Sequence, residues 1–225
     1  MRLMALAALF LPMLAAPAAA EQAPAAPSPA VAPPLTPENT WHLDLSTGGR
    51  VSIQLRPDVA PLSVERIKTL TRRGFYNGLA FHRVIEGFMA QVGDPKGDGT
   101  VGSELPDLKA EFNALPHMRG TVAMARADNP DSANSQFFIM LLPKFSLDNN
   151  YTAFGRVVSG MNFVDAIEKG EPPANPSRII QASIGADNRP PPPPGAVASP
   201  PATVSADVPA LPSKPPVPAT TDQPK

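Results

Sequence analysis

Phe81-His82-Arg83-Val84-Ile85-Glu86-Gly87-Phe88-Met89-Ala90-Gln91, followed after a long loop by Ser135-Gln136-Phe137-Phe138-Ile139, sets one cation and two amides among large apolar side chains. Such a pattern describes a greasy hollow with a few hydrogen-bond donors at its rim, a surface suited to an apolar ring and the peptide around it. It points to neither a metal nor a covalent intermediate. The chain has no cysteine, and no Ser, His and acid arrangement stands out.

Working outward, Trp41 to Leu45 and Val51 to Leu55 alternate apolar and polar residues around Ser46-Thr47-Gly48-Gly49-Arg50, which predicts a hairpin with one buried face. Pro61 precedes an apolar stripe at Val64, Ile67 and Leu70, and Gly74 supplies a stop, so a first helix is expected over Leu62 to Arg73. Further strands are expected at Leu79–Val84, Phe88–Val92, Thr121–Ala125, Phe137–Leu141, Thr152–Val158 and Arg178–Ile184. A second helix is expected over Met161–Lys169, ending at Gly170. About eight short strands with two helices argue for a single antiparallel barrel with helices at its ends. The connection Asp94 to Pro116 has no clear period, and an ordered loop of that length usually has a task.

Most of the 31 prolines lie outside this middle. Met1–Ala20 carries one positive residue, Arg2, then an apolar run from Leu3 to about Leu14, then Ala18-Ala19-Ala20, the pattern of a cleaved secretory signal. An apolar run of about 12 residues reaches about 18 Å as a helix, short of a bilayer span. The expectation is export to the periplasm, cleavage after Ala20 and no membrane association afterwards. A lipid anchor would need a cysteine, and stability must come from a core without disulfides. Residues 21–38 and 188–225 are Ala- and Pro-rich and predict extended, disordered segments flanking a domain over 39–187. A tail of this kind is a spacer or a docking segment. Formal charge is −1, and −2 once Arg2 leaves with the signal, so nothing attracts nucleic acid.

Taken with Gly120-Thr121-Val122-Ala123-Met124-Ala125, Leu147-Asp148 and Phe154-Gly155-Arg156-Val157, the opening stretch resembles the cyclophilin-type peptidyl-prolyl cis-trans isomerases over roughly Asn39 to Gly185. The resemblance implies a mostly β fold, a closed eight-stranded antiparallel barrel capped by two α-helices, with the site on its outer face. It implies proline-containing polypeptides as substrates and no cofactor or metal. Arg83 is then the donor to the twisted amide, with Gln91 beside it. Phe88, Met89, Phe138 and Leu147 would seat the proline ring, and Gln136, Ala125, Arg126 and Tyr151 would line the peptide path. Phe137, alternating with Phe138, is assigned to the core. His82 is read as a packed strand residue, because isomerisation needs no proton transfer. Relative to eukaryotic members, Arg126 stands for Asn, Tyr151 for His and Ser146 for Trp, so weak cyclosporin binding is expected. Val92 replaces a more usual Gly, with no reason evident from sequence. A monomer suffices. The alternative is a barrel that holds proline-containing segments without turnover as its task; a further alternative has the Pro-rich tail occupying the protein's own site.

Overall fold

The computed structural model describes residues 32–193 and 195–196. The expected signal peptide and most of both Pro-rich ends lie outside these residues. Among the described residues, no helix is long and apolar enough to cross a membrane.

Eight strands form one antiparallel sheet: β1 (Thr40–Leu45), β2 (Gly49–Leu55), β3 (Arg83–Ile85), β4 (Met89–Val92), β5 (Thr121–Met124), β6 (Phe137–Met140), β7 (Ala153–Ser159) and β8 (Ile179–Ile184). Their spatial order is β3-β4-β6-β5-β7-β2-β1-β8. The sheet is strongly curled but is not the closed barrel expected, because no ladder joins its end strands β3 and β8. The segments ahead of those strands meet instead, through the bridge Ala80–Arg178 and the bonds Phe81 N to Ser177 O (2.9 Å) and Ile179 N to Leu79 O (3.0 Å). The expected strand Leu79–Val84 is therefore replaced by a bridging segment and a short β3 that begins at Arg83. His82 falls just before the strand, buried, rather than within it.

Alternation along the strands sorts side chains onto two faces. Trp41, Leu43, Ile53, Val84, Ala90, Val92, Val122, Met124, Phe137, Ile139 and Phe154 enter the main core. Phe137 packs edge-on against Trp41 (4.9 Å between ring centroids) and Tyr76 (5.6 Å), as its assignment to the core requires. Each such aromatic pair contributes about 0.5–1.5 kcal/mol beyond its buried area. Val92 fills the same core and is fully buried, which accounts for a branched residue at that position.

Helix α1 (Pro61–Arg72) buries Val64, Ile67 and Leu70. Its N-terminal residue offers no capping side chain, and the task falls to Glu111 in the long loop. The Glu111 carboxylate accepts from Leu62 N, Ser63 N (both 2.8 Å) and Ser63 Oγ (2.7 Å), meeting orphan donors and the positive helix end together. Arg66 of α1 donates to Pro106 O at 2.6 Å, so the 94–116 segment is strapped across the helix while remaining free of helix and strand.

Helix α2 spans only Met161–Asp165, shorter than the expected Met161–Lys169. Ile167 is still buried, but Gly170 exchanges both backbone hydrogen bonds with Val84 (2.8 and 2.9 Å). Glu168 N donates to Ser177 Oγ at 3.1 Å instead of continuing the helical ladder, and the bridge from Gly170 to Val84 takes the chain on to β3.

Candidate active site

Cross-strand register places Arg83 opposite Gln91, Gln91 opposite Phe138, Phe138 opposite Ala123 and Ala123 opposite Ala153. Side chains paired in this way share one face of a sheet. That face is the one turned away from the main core. It carries a second apolar cluster built on Met89, Ala123, Phe138, Met140 and Ala153, with Phe88, Ala125, Leu147 and Tyr151 packed at its margin. Six of the expected substrate-facing residues thus meet in one patch: Phe88, Met89, Ala125, Phe138, Leu147 and Tyr151.

Each is held by a different element. Met89 and Phe138 come from β4 and β6, Phe88 from the β3–β4 turn, Ala125 from the end of β5, and Leu147 from a single 3-10 turn at Phe145–Leu147. Phe138 is fixed between two rings: His117 stacks on it at 6.2 Å and Tyr151 meets it edge-on at 5.7 Å. His117 is itself locked, with Asp148 Oδ1 2.9 Å from Nδ1 and accepting from the His117 backbone N–H at 2.8 Å. Through Asp148, the same contact ties down the turn that presents Leu147. Ser146 is exposed on that turn and offers no ring.

The polar rim is equally ordered. Gln91 Nε2 donates to Gln136 Oε1 at 2.9 Å, and Gln136 Nε2 donates to Val101 O (2.8 Å) and Gly99 O (3.1 Å). This chain of amides joins the strand face to the 94–116 loop. At the junction Gly93 has φ +103°, and a Cβ there would lie 2.4 Å from Ser135 O, so only glycine lets β4 pass this close to the Gln136 backbone. Two clefts flank Gln91. One of about 350 Å³ lies between Gly99–Gly102, Ala125–Ala127 and Gln136; the other, about 530 Å³, includes Arg83, Asp98, Glu171 and Pro172.

Arg126 is not part of the apolar cluster but borders it at Tyr151. Its guanidinium sits 4.8 Å from the Tyr151 ring centroid and donates to Asn150 O (3.1 Å) and Ala127 O (2.8 Å), and with Ala125 and Ala127 it lines the smaller cleft. Tyr151 consequently contacts both Arg126 and Phe138. Beneath Arg83, buried His82 has a pKa lowered chiefly by burial, which outweighs Asp94 and Asp98.

The structure adds a residue that the sequence reading passed over. Glu171 Oε2 accepts from Arg83 Nε at 2.7 Å, across a separation of 88 residues. Pro172 and Pro173 beside it mark a turn, but nothing local marks an arginine partner.

The model of the family described as cyclophilin type peptidyl-prolyl cis-trans isomerase matches residues 42–184. A probable peptidyl-prolyl cis-trans isomerase of Brucella suis is 53% identical over 169 residues, 68% of this chain and 86% of that protein. Peptidyl-prolyl cis-trans isomerase B of Bacillus subtilis is 39% identical over 134 residues, 59% of this chain and 92% of the other. Among solved structures, a cyclophilin from Hirschia baltica superposes with a TM-score of 0.64 at 28% identity, covering 68% of this chain and 76% of its own. A Cryptosporidium parvum cyclophilin-type isomerase, crystallised in the presence of the dipeptide Ala-Pro, gives 0.60 at 26% identity, covering 64% of this chain and 98% of its own.

Proposed function

The chain belongs to the cyclophilin-type peptidyl-prolyl cis-trans isomerase family, and we propose that it turns X-Pro bonds of client proteins in the bacterial envelope by stabilising a twisted amide with Arg83. Rotation about such a bond meets a barrier of about 18–20 kcal/mol because amide resonance is lost, and uncatalysed exchange takes about 10–100 s. No bond forms or breaks. Halfway round, the proline nitrogen becomes pyramidal and its lone pair returns. An N–H aimed at that lone pair binds the transition state in preference to either planar ground state.

The observation that carries this reading is the row Arg83–Gln91–Phe138, which sets a permanently charged donor beside an apolar shelf. Phe88, Met89, Phe138 and Leu147 would seat the proline ring. Gln91, Gln136 and the backbone of 125–127 would hold the flanking peptide, so that only one side of the bond turns. Raising exchange from about 0.01 to about 100 s⁻¹ needs four decades, about 5–6 kcal/mol. One oriented donor contributes about 2.7–4 kcal/mol by analogy with oxyanion-hole deletions. Seating and holding the peptide supply the remainder.

Export, cleavage after Ala20 and action as a soluble periplasmic monomer belong to the same proposal, supported by the composition of residues 1–20. Weak cyclosporin binding follows from Ser146, which offers neither an indole donor nor its apolar area. The test is exchange NMR on an Ala-Pro peptide with the wild-type chain, together with the mass of the protein recovered from the periplasm. Accelerated exchange and a mature N-terminus at Glu21 are expected. Unaccelerated exchange defeats the enzymatic reading, and an intact leader defeats the location.

A further inference from the structure

We propose that Glu171 is the positioning residue for Arg83, holding the guanidinium plane so that its outer N–H groups face the turning amide; the inference rests on the role proposed above for Arg83. Arg83 stands at the start of an end strand only three residues long, with its side chain 43% exposed. A long, flexible side chain in such a place loses much rotamer freedom when it must adopt a single pose. Its neighbour in register does not hold it. Gln91 Nε2 donates to Gln136 and Gln136 Nε2 to Gly99 and Val101, and neither amide is hydrogen-bonded to Arg83 among the described residues.

Glu171 is what remains. Its carboxylate takes the Nε–H at 2.7 Å, while Nη1 and Nη2 have no hydrogen-bond partner among the described residues. One edge of the fork is thereby clamped, and the other is left to a ligand. The clamp has a rigid base, because Gly170 exchanges both backbone hydrogen bonds with Val84, the residue after Arg83. Anchor and arginine therefore sit across one bridge. Pro172 follows Glu171, and both line the cleft that contains Arg83 and Gln91.

A purely structural purpose fits poorly. Both side chains are about half exposed (43% and 50%), the regime in which an ion pair adds little to folding, and the loop is already attached through its backbone. The pair makes mechanical sense where orientation matters more than stability.

Glu171→Ala and Glu171→Gln, each in the wild-type and Arg83→Ala backgrounds, test the inference by exchange NMR and steady-state kinetics on an Ala-Pro peptide. Glu171→Ala is expected to lower kcat by about fivefold to tenfold with KM within about twofold, a part of the roughly 100-fold that a misplaced reacting group costs. Glu171→Gln keeps an acceptor for Nε–H and falls in between. In the Arg83→Ala background, Glu171→Ala has no further effect, because two residues acting through one group are not additive. Melting temperatures stay within about 4 °C, as for other half-exposed ion pairs. A kcat for Glu171→Ala equal to or above that of the wild type overturns the inference. So does the same fractional loss in both backgrounds. An active wild type with an indifferent Glu171→Ala leaves the isomerase reading standing and removes only the clamp; an inactive wild type removes both.

Discussion

Under the role proposed for Arg83, its replacement by alanine is expected to lower turnover while leaving folding nearly intact. Its side chain lies outside the main core, and its ion pair with Glu171 is about half exposed on both sides. Such a pair is worth about 0–1 kcal/mol, which for a domain of this size moves the melting temperature by less than about 4 °C. Turnover is another matter. Loss of one oriented donor to charge that develops only in the transition state costs about 2.7–4 kcal/mol, or about 100- to 1,000-fold in kcat. KM changes little, because the planar prolyl nitrogen presents no lone pair to a donor in the ground state. Arg83→Lys keeps the charge without the rigid fork and is expected to recover only part of the loss. Exchange NMR with saturating Ala-Pro peptide reads kcat, a substrate titration reads KM, and a thermal melt monitors the fold. A fall in kcat of less than about tenfold, or a rise in KM at constant kcat, refutes the reasoning; the latter marks uniform binding and not transition-state stabilisation.

Adjacent phenylalanines on β6 are expected to fail differently. Phe137→Ala empties a fully buried site among Trp41, Tyr76 and Phe154 and destabilises by about 3–5 kcal/mol in urea unfolding. Phe138→Ala, on the outer cluster, weakens peptide binding measured by NMR titration while costing less stability; equal effects on both readouts would contradict the two-face division. Stability is also expected to fall from about pH 7 to pH 5. His42 and His82 both have pKa values lowered first by burial. The unfolded chain therefore takes up protons at about pH 6.5 while the folded chain resists, so stability is complete above that pH and declines below it, by at most about 1.4 kcal/mol per pH unit per histidine. Melting temperature against pH checks this, and His82→Gln should flatten the slope. A wild-type curve that is level or rises on acidification contradicts the assignment.

Strand positions were legible because a two-residue period reports a half-buried sheet, and most boundaries moved by only a residue or two. Where both faces are buried, the period vanishes. Phe137 to Met140 reads as an unbroken apolar run because Phe137 and Ile139 face the main core while Phe138 and Met140 face the second cluster. Composition alone cannot assign such a run to one side or the other; the likeness of the Gln136-Phe137-Phe138 pattern to a known family did so. Helix α2 was overestimated for a related reason: its apolar residues continue to Ile167, but a tertiary bridge from Gly170 to Val84 ends the helical path.

The order and chemical kinds of residues along the chain thus determined the antiparallel architecture and the single globular middle, because those follow from local periodicity and turn chemistry, while the cleft's own side chains were read from the likeness of its motifs to a known family. Tertiary structure alone decided what holds them. Glu111 capping a helix 48 residues earlier, Asp148 fixing His117 beneath Phe138, and Glu171 gripping Arg83 all join segments remote in sequence. A carboxylate carries no mark of its partner until the backbone has brought the two within reach, since the attraction depends on a distance that no local pattern encodes.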